Sequence, residues 1–266
     1  MTEPRTVLLT GAAGGVGTIL RTELPSYGYR LRNFDRAPVP GDPEAITADL
    51  LDSEALAAAM AGVDAVVHLA GIPLEAEFAD LLAANIDGTY RVYEAARAAG
   101  VRRVVYASSN HAVGFTERPE PGELVPVETE LRPDTYYGLS KCFGENLASL
   151  YADRHGIDTV SIRIGSCFEH PETVRQLATW LSPGDCGRLV HAALSAPVSG
   201  HRVVYGISAN TRAWWDLAPA RALGYQPQDD AEVFAAKLIA EYGELSEDDV
   251  EFRYIGGDFT RMEPPK

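Results

Sequence analysis

The residues that most constrain this chain are Thr10-Gly11-Ala12-Ala13-Gly14-Gly15-Val16-Gly17, with glycines at 11, 14 and 17. They lie between an apolar run, Thr6–Thr10 (TVLLT), and a helical pattern, Val16–Leu24. Glycine at those positions lets the backbone turn tightly, approach a pyrophosphate closely and pack helix against strand. The opening helix offers its N–H groups and dipole to the anion. Glycine-rich turns alone are common, but this one follows the first strand, opens a helix and has an acidic partner. That partner is Asp35, at the end of a second apolar run. A carboxylate there accepts hydrogen bonds from ribose hydroxyls and repels a 2′-phosphate, which favours NAD over NADP, although the neighbouring Arg36 could pair with a phosphate. Asp49 and Leu50 are expected near the adenine, with a capping Asp and a packed Leu as the alternative. Leu69, Ala70 and Gly71 are expected where the backbone passes close to the cofactor.

The rest of the chain repeats the same alternation. Arg30–Phe34, Ala65–Leu69, Arg103–Ala107 and Thr159–Ile164 read as strands, and Ser53–Ala61, Phe78–Ala99 and Tyr136–His155 as helices. Short β-branched runs separated by helices predict a parallel sheet covered on both faces, an α/β doubly wound (Rossmann-type) fold with its crevice at the carboxyl ends of the strands. After Gly165 a helix is expected near Asp185–Ala196, a strand at Arg202–Gly206, and helical stretches at Arg212–Leu223 and Asp230–Tyr242. Residues 1–165 therefore read as a dinucleotide-binding core. Residues 166–266 read as a small substrate-binding region interleaved with the last sheet elements of one compact domain.

The net charge of −15, with 38 acidic against 23 basic residues and no Lys/Arg cluster, argues against nucleic acid and anionic membrane partners. An anionic substrate would then need a local Arg or Lys. Cys142, Cys167 and Cys186 follow no metal-ligand spacing, no metal is expected at His170, and His68 in an apolar strand reads as a core histidine. The N-terminal residues carry no signal-like pattern and no apolar run is long enough to span a bilayer, so a cytoplasmic protein is expected.

Chemistry is expected at Tyr137-Gly138-Leu139-Ser140-Lys141, which puts Tyr137 and Lys141 four apart on one helix face. A free phenol is a poor base at neutral pH, and a nearby ammonium favours its phenolate. Lys141 could also hold the nicotinamide ribose. Ser109, within Ala107-Ser108-Ser109-Asn110 after the fourth strand, can donate to the oxygen that gains or loses the proton. Tyr136 is adjacent, but the spacing selects Tyr137.

These features resemble the extended short-chain dehydrogenase/epimerase superfamily. The segments Ser108-Ser109-Asn110-His111, Tyr137 to Asn146 (YGLSKCFGEN) and Arg163-Ile164-Gly165-Ser166-Cys167 look like those of the uronate dehydrogenases. So do Ser208-Ala209-Asn210, Trp214-Trp215-Asp216 and Gly256-Gly257-Asp258-Phe259. The likeness spans nearly the whole chain. It implies NAD-dependent oxidation of a small-molecule uronate, D-glucuronate or D-galacturonate as the pyranose, at C1 to the aldaro-lactone. It further implies Tyr137 as base, Ser109 as orienting hydroxyl, and Asn110, His111 and Ser166 on sugar hydroxyls or the carboxylate. Arg175 would sit on the carboxylate, Ile164 and Cys167 beside the cofactor, and the long helices would form a homo-oligomer. Pro73 stands where the family pattern has a hydroxyl residue touching the sugar, and proline offers neither side-chain donor nor N–H. Two other readings remain open on the residues alone: an epimerase or dehydratase that retains its NAD, and a noncatalytic NAD-binding protein.

Overall fold

A computed structural model describes residues 5–120 and 122–263. Its first half alternates β1 (Thr6–Thr10), α1 (Gly15–Glu23), β2 (Arg30–Asp35), β3 (Ile46–Thr47), α2 (Ser53–Met60) and β4 (Ala65–His68). A continuous helical run follows, made of α3 (Phe78–Leu81), a π-helical turn (Leu82–Asp87) and α4 (Gly88–Ala98). Then come β5 (Arg103–Ser109), α5 (Tyr136–His155) and β6 (Asp158–Ile164). Beyond Gly165 lie β7 (Ser166–Cys167), α6 (Gln176–Thr179), β8 (Trp180–Leu181), α7 (Pro183–Ser195) and β9 (His201–Gly206). The short helices α8 (Ala218–Ala222), α9 (Ala235–Tyr242) and α10 (Val250–Arg253) complete the described chain.

The main sheet has the order β3-β2-β1-β4-β5-β6-β9, with neighbouring strands parallel throughout. Side chains alternate between its faces with the strand period of two. Val7, Leu9, Val67 and Val105 pack on one face with Leu20 of α1 and Leu189 of α7. Leu8, Val66 and Val104 pack on the other with Leu56 of α2, Val92 of α4 and Leu147 of α5. The central strands β1 and β4 are therefore buried on both sides, which is why their sequences are nearly continuous apolar runs. Burying each such side chain contributes roughly 1.5–3 kcal/mol. The expected doubly wound α/β fold is the observed one. β9 joins β6, so residues beyond 166 do lend a strand to the main sheet.

Two helical expectations need correction. Phe78–Ala99 is not a uniform α-helix: it opens into a π turn at Leu82–Asp87 that faces the site. Arg212–Leu223 is helical only at Ala218–Ala222. Upstream of it the Trp214 carbonyl accepts from Val125 N–H (2.7 Å) and Asp216 N–H donates to the Val125 carbonyl (3.1 Å), so that stretch is extended. Trp214 and Trp215 are both buried, and successive helical residues point about 100° apart, which makes burying both on one helix face difficult. The two-residue strand β3 is too short to leave a periodic signal. Two strands also run further toward the crevice than expected, β2 through Asp35 and β5 through Ser109.

Candidate active site

The carboxyl ends of β1, β2, β4, β5 and β6 converge on one crevice. At its left wall Gly11 takes φ +75°, and its N–H donates to the Phe34 carbonyl at 2.9 Å. A Cβ on Gly11 would meet Ala70 N at 2.7 Å, and one on Gly17 would meet the Gly11 carbonyl at 2.2 Å. Two of the three glycines are thus required by close backbone approach. Gly14 and Gly15 are exposed at the start of α1, beside Val16, and no side chain caps that helix. Its first N–H groups and dipole therefore face outward, which is the cradle a pyrophosphate requires.

Asp35 ends β2 with one carboxylate oxygen accepting from Ala13 N–H of the glycine loop (2.9 Å) and the other from Ala37 N–H (2.9 Å). The acidic group expected at the ribose is thereby fixed against the loop, while Arg36 is exposed. Leu69 and Ala70 follow β4, Ala70 N–H facing the Thr10 hydroxyl at 3.4 Å. Val16, Leu69, Ala107 and Ile164 line one apolar pocket, so four separated segments form a common wall. Cys167 lies in β7 opposite Leu181, partly exposed. Asp49 is exposed and accepts from Leu51 N–H (2.9 Å), and Leu50 is packed against Gly88. α2 is capped by Asp52 instead, which accepts from Glu54 and Ala55 N–H. The residues present fit a dinucleotide.

β5 and α5 bring Ser109, Tyr137 and Lys141 together. α5 starts where it does because Thr135 Oγ1 accepts Gly138 N–H (3.0 Å) and Glu75 accepts Tyr137 N–H (2.9 Å). The Lys141 ammonium donates to the Ala107 carbonyl at 2.8 Å and lies 5.5 Å from the Tyr137 ring centre. Burial pushes the Tyr137 phenol up to about 12, against which a hydrogen bond with Ser109 acts. Burial also lowers Lys141 to about 8. Behind them Arg163 grips Glu145 with two hydrogen bonds (2.9 and 2.8 Å), and the Ser108 hydroxyl donates to the same carboxylate at 2.5 Å. This ion pair is buried, so removing one partner would cost about 3–5 kcal/mol.

The opposite wall is built from the last third of the chain. Ser166 is hydrogen-bonded to Thr179 (2.9 Å). Asn110 is buried and donates to the Ile255 carbonyl at 3.4 Å. The Arg175 guanidinium also donates to Ile255 O and lies 5.9 Å from the Trp214 ring centre. Arg175 makes no ion pair among the described residues, and its Nε is buried without a partner. Burial lowers its pKa, a measure of how little solvent screens the charge. In a chain of charge −15, a guanidinium with no carboxylate in ion-pair contact among the described residues is a ready site for an external carboxylate.

Several residues of this site lack a sequence signal. Asn85, presented by the π turn, accepts Ile72 N–H (2.7 Å) and donates to the Ile72 carbonyl (3.0 Å) and to Ser140 Oγ (2.9 Å). It ties the Gly71–Ile72 loop to α5. Glu75 and Asp134 act from loops with no spacing rule, and Thr179 is an unremarkable position in a short helix. Pro73 is exposed in the Glu75 loop.

The profile of the NAD dependent epimerase/dehydratase family matches residues 7–182. A uronate dehydrogenase from Pseudomonas syringae pv. tomato is 47% identical, the match covering 97% of this chain and 94% of that protein. The crystal structure of uronate dehydrogenase from Agrobacterium tumefaciens superposes with a TM-score of 0.90 at 42% identity, covering 97% of each chain. A mutant of that enzyme complexed with NAD gives a TM-score of 0.90 at 41% identity, over 97% of this chain and 98% of that one.

Proposed function

This chain belongs to the NAD dependent epimerase/dehydratase family and within it to the uronate dehydrogenases, and from that premise we propose that it oxidises D-glucuronate or D-galacturonate, as the pyranose, at C1 to the aldaro-lactone. NAD, when bound, is the acceptor of the C1 hydride. The N–H groups of Gly14, Gly15 and Val16 and the start of α1 hold its pyrophosphate, and Asp35 its adenosine ribose. Asp49 and Leu50 reach the adenine, Gly71 and Cys167 border the cofactor, and Lys141 holds the second ribose.

On the substrate, Tyr137 takes the C1 hydroxyl proton and Ser109 orients that oxygen. Asn110, His111 and Ser166 bind the remaining oxygens. Arg175 grips the carboxylate, and it is the observation that carries this reading: its charge is unpaired among the described residues, half-buried and shares a crevice with Ser109 and Tyr137. Residues 166–266 act as the substrate-binding region. With Pro73 in place of a hydroxyl, the sugar is gripped by fewer donors on that side.

Stoichiometric NADH release tests the reading. One equivalent per uronate consumed supports it, whereas conversion of sugar without net NADH would mark an internally cycling epimerase instead.

Two coarser features extend the proposal. Phe78, Leu82, Tyr90, Tyr136, Leu139 and Leu150 expose large apolar side chains along α3–α4 and α5, and a second copy of this chain covers that face. No helix among the described residues is long and apolar enough to cross a membrane, and the free thiols Cys142, Cys167 and Cys186 suit a reducing cytoplasm.

A further inference from the structure

His111, placed on a sugar oxygen above, is paired with a buried carboxylate, Asp134, that has no role in that reaction. His111 Nδ1 lies 2.7 Å from an Asp134 carboxylate oxygen, and the other oxygen accepts from the Thr135 hydroxyl at 2.9 Å. The Asp134 side chain is wholly inaccessible, and that of His111 is 12% exposed. Three segments are shaped around this carboxylate. A Cβ on Gly114, or one on Gly256, would each come within 1.9 Å of it. Gly256 N–H donates to the Gly114 carbonyl at 2.9 Å, which closes the C-terminal tail over the pair. The tail also lays Phe259 on the imidazole, with ring centres 3.8 Å apart and planes within 21°. The ring also meets Tyr137 edge-on at 5.8 Å. His111 Nε2 has no hydrogen-bond partner among the described residues.

We propose that Asp134 is a positioning residue, and that it and the Phe259 tail lock His111 as the Nδ1–H tautomer, so that Nε2 stands beside Tyr137 as a fixed acceptor for one sugar hydroxyl. The chemistry follows from the pair. Burial holds His111 below the usual imidazole range and so favours its neutral form, and since an ionised carboxylate accepts and cannot donate, the single ring proton resides on Nδ1 and the lone pair on Nε2. Free imidazole in water does not hold that choice, and a ring free to turn would present either nitrogen. Stacking on Phe259 removes the rotation, and the Gly114 and Gly256 backbones remove the space into which the carboxylate could swing. A hydroxyl donating to Nε2 is discriminated from a hydrogen or a methoxy group at the same carbon, because the buried acceptor would otherwise lose its partner. This assigns a selection for one free hydroxyl to a residue pair remote in sequence, and it rests on the uronate dehydrogenase reading.

The test uses the NAD-loaded protein with ¹⁵N-labelled histidine, His111 being assigned by its disappearance in His111→Gln. The expected spectrum has Nδ1 protonated and Nε2 bare. A proton on Nε2 in the wild-type protein overturns the proposal without any variant. In Asp134→Ala the tautomer should invert and KM for the uronate rise at least tenfold, with kcat falling less and NAD affinity unchanged. Asp134→Asn, whose amide oxygen can still accept from Nδ1, should recover most of the lost KM. An unaltered KM in a folded Asp134→Ala, or equal losses of NAD affinity and KM in both variants, would reduce Asp134 to a purely structural role and overturn the proposal. Absence of uronate oxidation by the wild-type protein would strike the underlying reading instead, and the tautomer measurement would still decide the pair.

Discussion

Lys141 and Tyr137 sit four residues apart on α5, with the ammonium 5.5 Å from the phenol ring centre and anchored to the Ala107 carbonyl. Burial acts on both in opposite senses, raising the phenol to about 12 and lowering the ammonium to about 8. In the proposed reaction the productive form has an ionised Tyr137 beside a charged Lys141. Below pH 8 Lys141 is charged, and each pH unit increases the phenolate about tenfold. Above about 8 the gain in phenolate is offset by loss of the ammonium. The kcat/KM for oxidation should therefore rise to about pH 8 and then level. In Lys141→Met the break should vanish and the rate should be far lower. A wild-type profile without a break between about 7 and 9, or a variant that keeps it, would contradict this assignment.

In the proposed reading Arg175 meets the substrate carboxylate, and the structure gives it no competing carboxylate within salt-bridge distance among the described residues. Arg175→Ala should raise KM for a uronate by about 10- to 100-fold, corresponding to about 1.5–3 kcal/mol for hydrogen bonds to a charged group. Arg175→Lys should restore the charge but not the bidentate geometry, leaving KM between the two. Steady-state kinetics at saturating NAD decide it, and an unchanged KM in Arg175→Ala would exclude the clamp.

The glycine loop separates folding from cofactor binding. A methyl on Gly17 collides with the Gly11 carbonyl, so Gly17→Ala should lower Tm and NAD affinity together. A methyl on Gly15 meets nothing within 4 Å, so Gly15→Ala should keep its Tm yet bind NAD more weakly by crowding the helix start. Thermal melts and NAD titrations of the two proteins make the comparison. Full NAD affinity in Gly15→Ala would place the pyrophosphate elsewhere.

Light scattering should give a mass above that of one chain for the native protein. Substituting Tyr90 and Leu150 by Glu should shift it toward the monomer with the fold retained. A monomeric wild-type protein would leave the exposed face along α4 and α5 without the proposed partner.

Much of this was legible in the sequence because it rests on local rules. The TVLLT run, the Gly11–Gly17 turn and the Tyr137–Lys141 spacing each report a backbone geometry that neighbouring residues alone determine. Ser109 is read from its place after the fourth strand, and His111 and Arg175 are named only through the resemblance. What stayed hidden depends on contacts between distant segments. Asn85 matters because a π turn aims it at Ile72 and Ser140, and helical periodicity does not register one extra residue per turn. Glu75 matters because a loop folds back onto the start of α5. Asp134 matters because Gly114 and Gly256 leave room for its carboxylate. The misread helix at Arg212 has the same origin, since Trp214 and Trp215 are held extended by Val125, nearly ninety residues earlier in the chain.

In the proposed reaction a carboxylate-bearing sugar loses a hydride from C1 to NAD while Tyr137 takes the C1 hydroxyl proton. The most direct measurement is initial NADH formation with D-glucuronate against D-glucose, and D-galacturonate against D-galactose, in the wild-type protein and in Tyr137→Phe. The account predicts that each uronate exceeds its neutral partner in kcat/KM by about 100-fold, a difference of about 2.7 kcal/mol, and that Tyr137→Phe binds NAD but does not turn over. Equal rates for the paired sugars, or undiminished turnover in Tyr137→Phe, would contradict it.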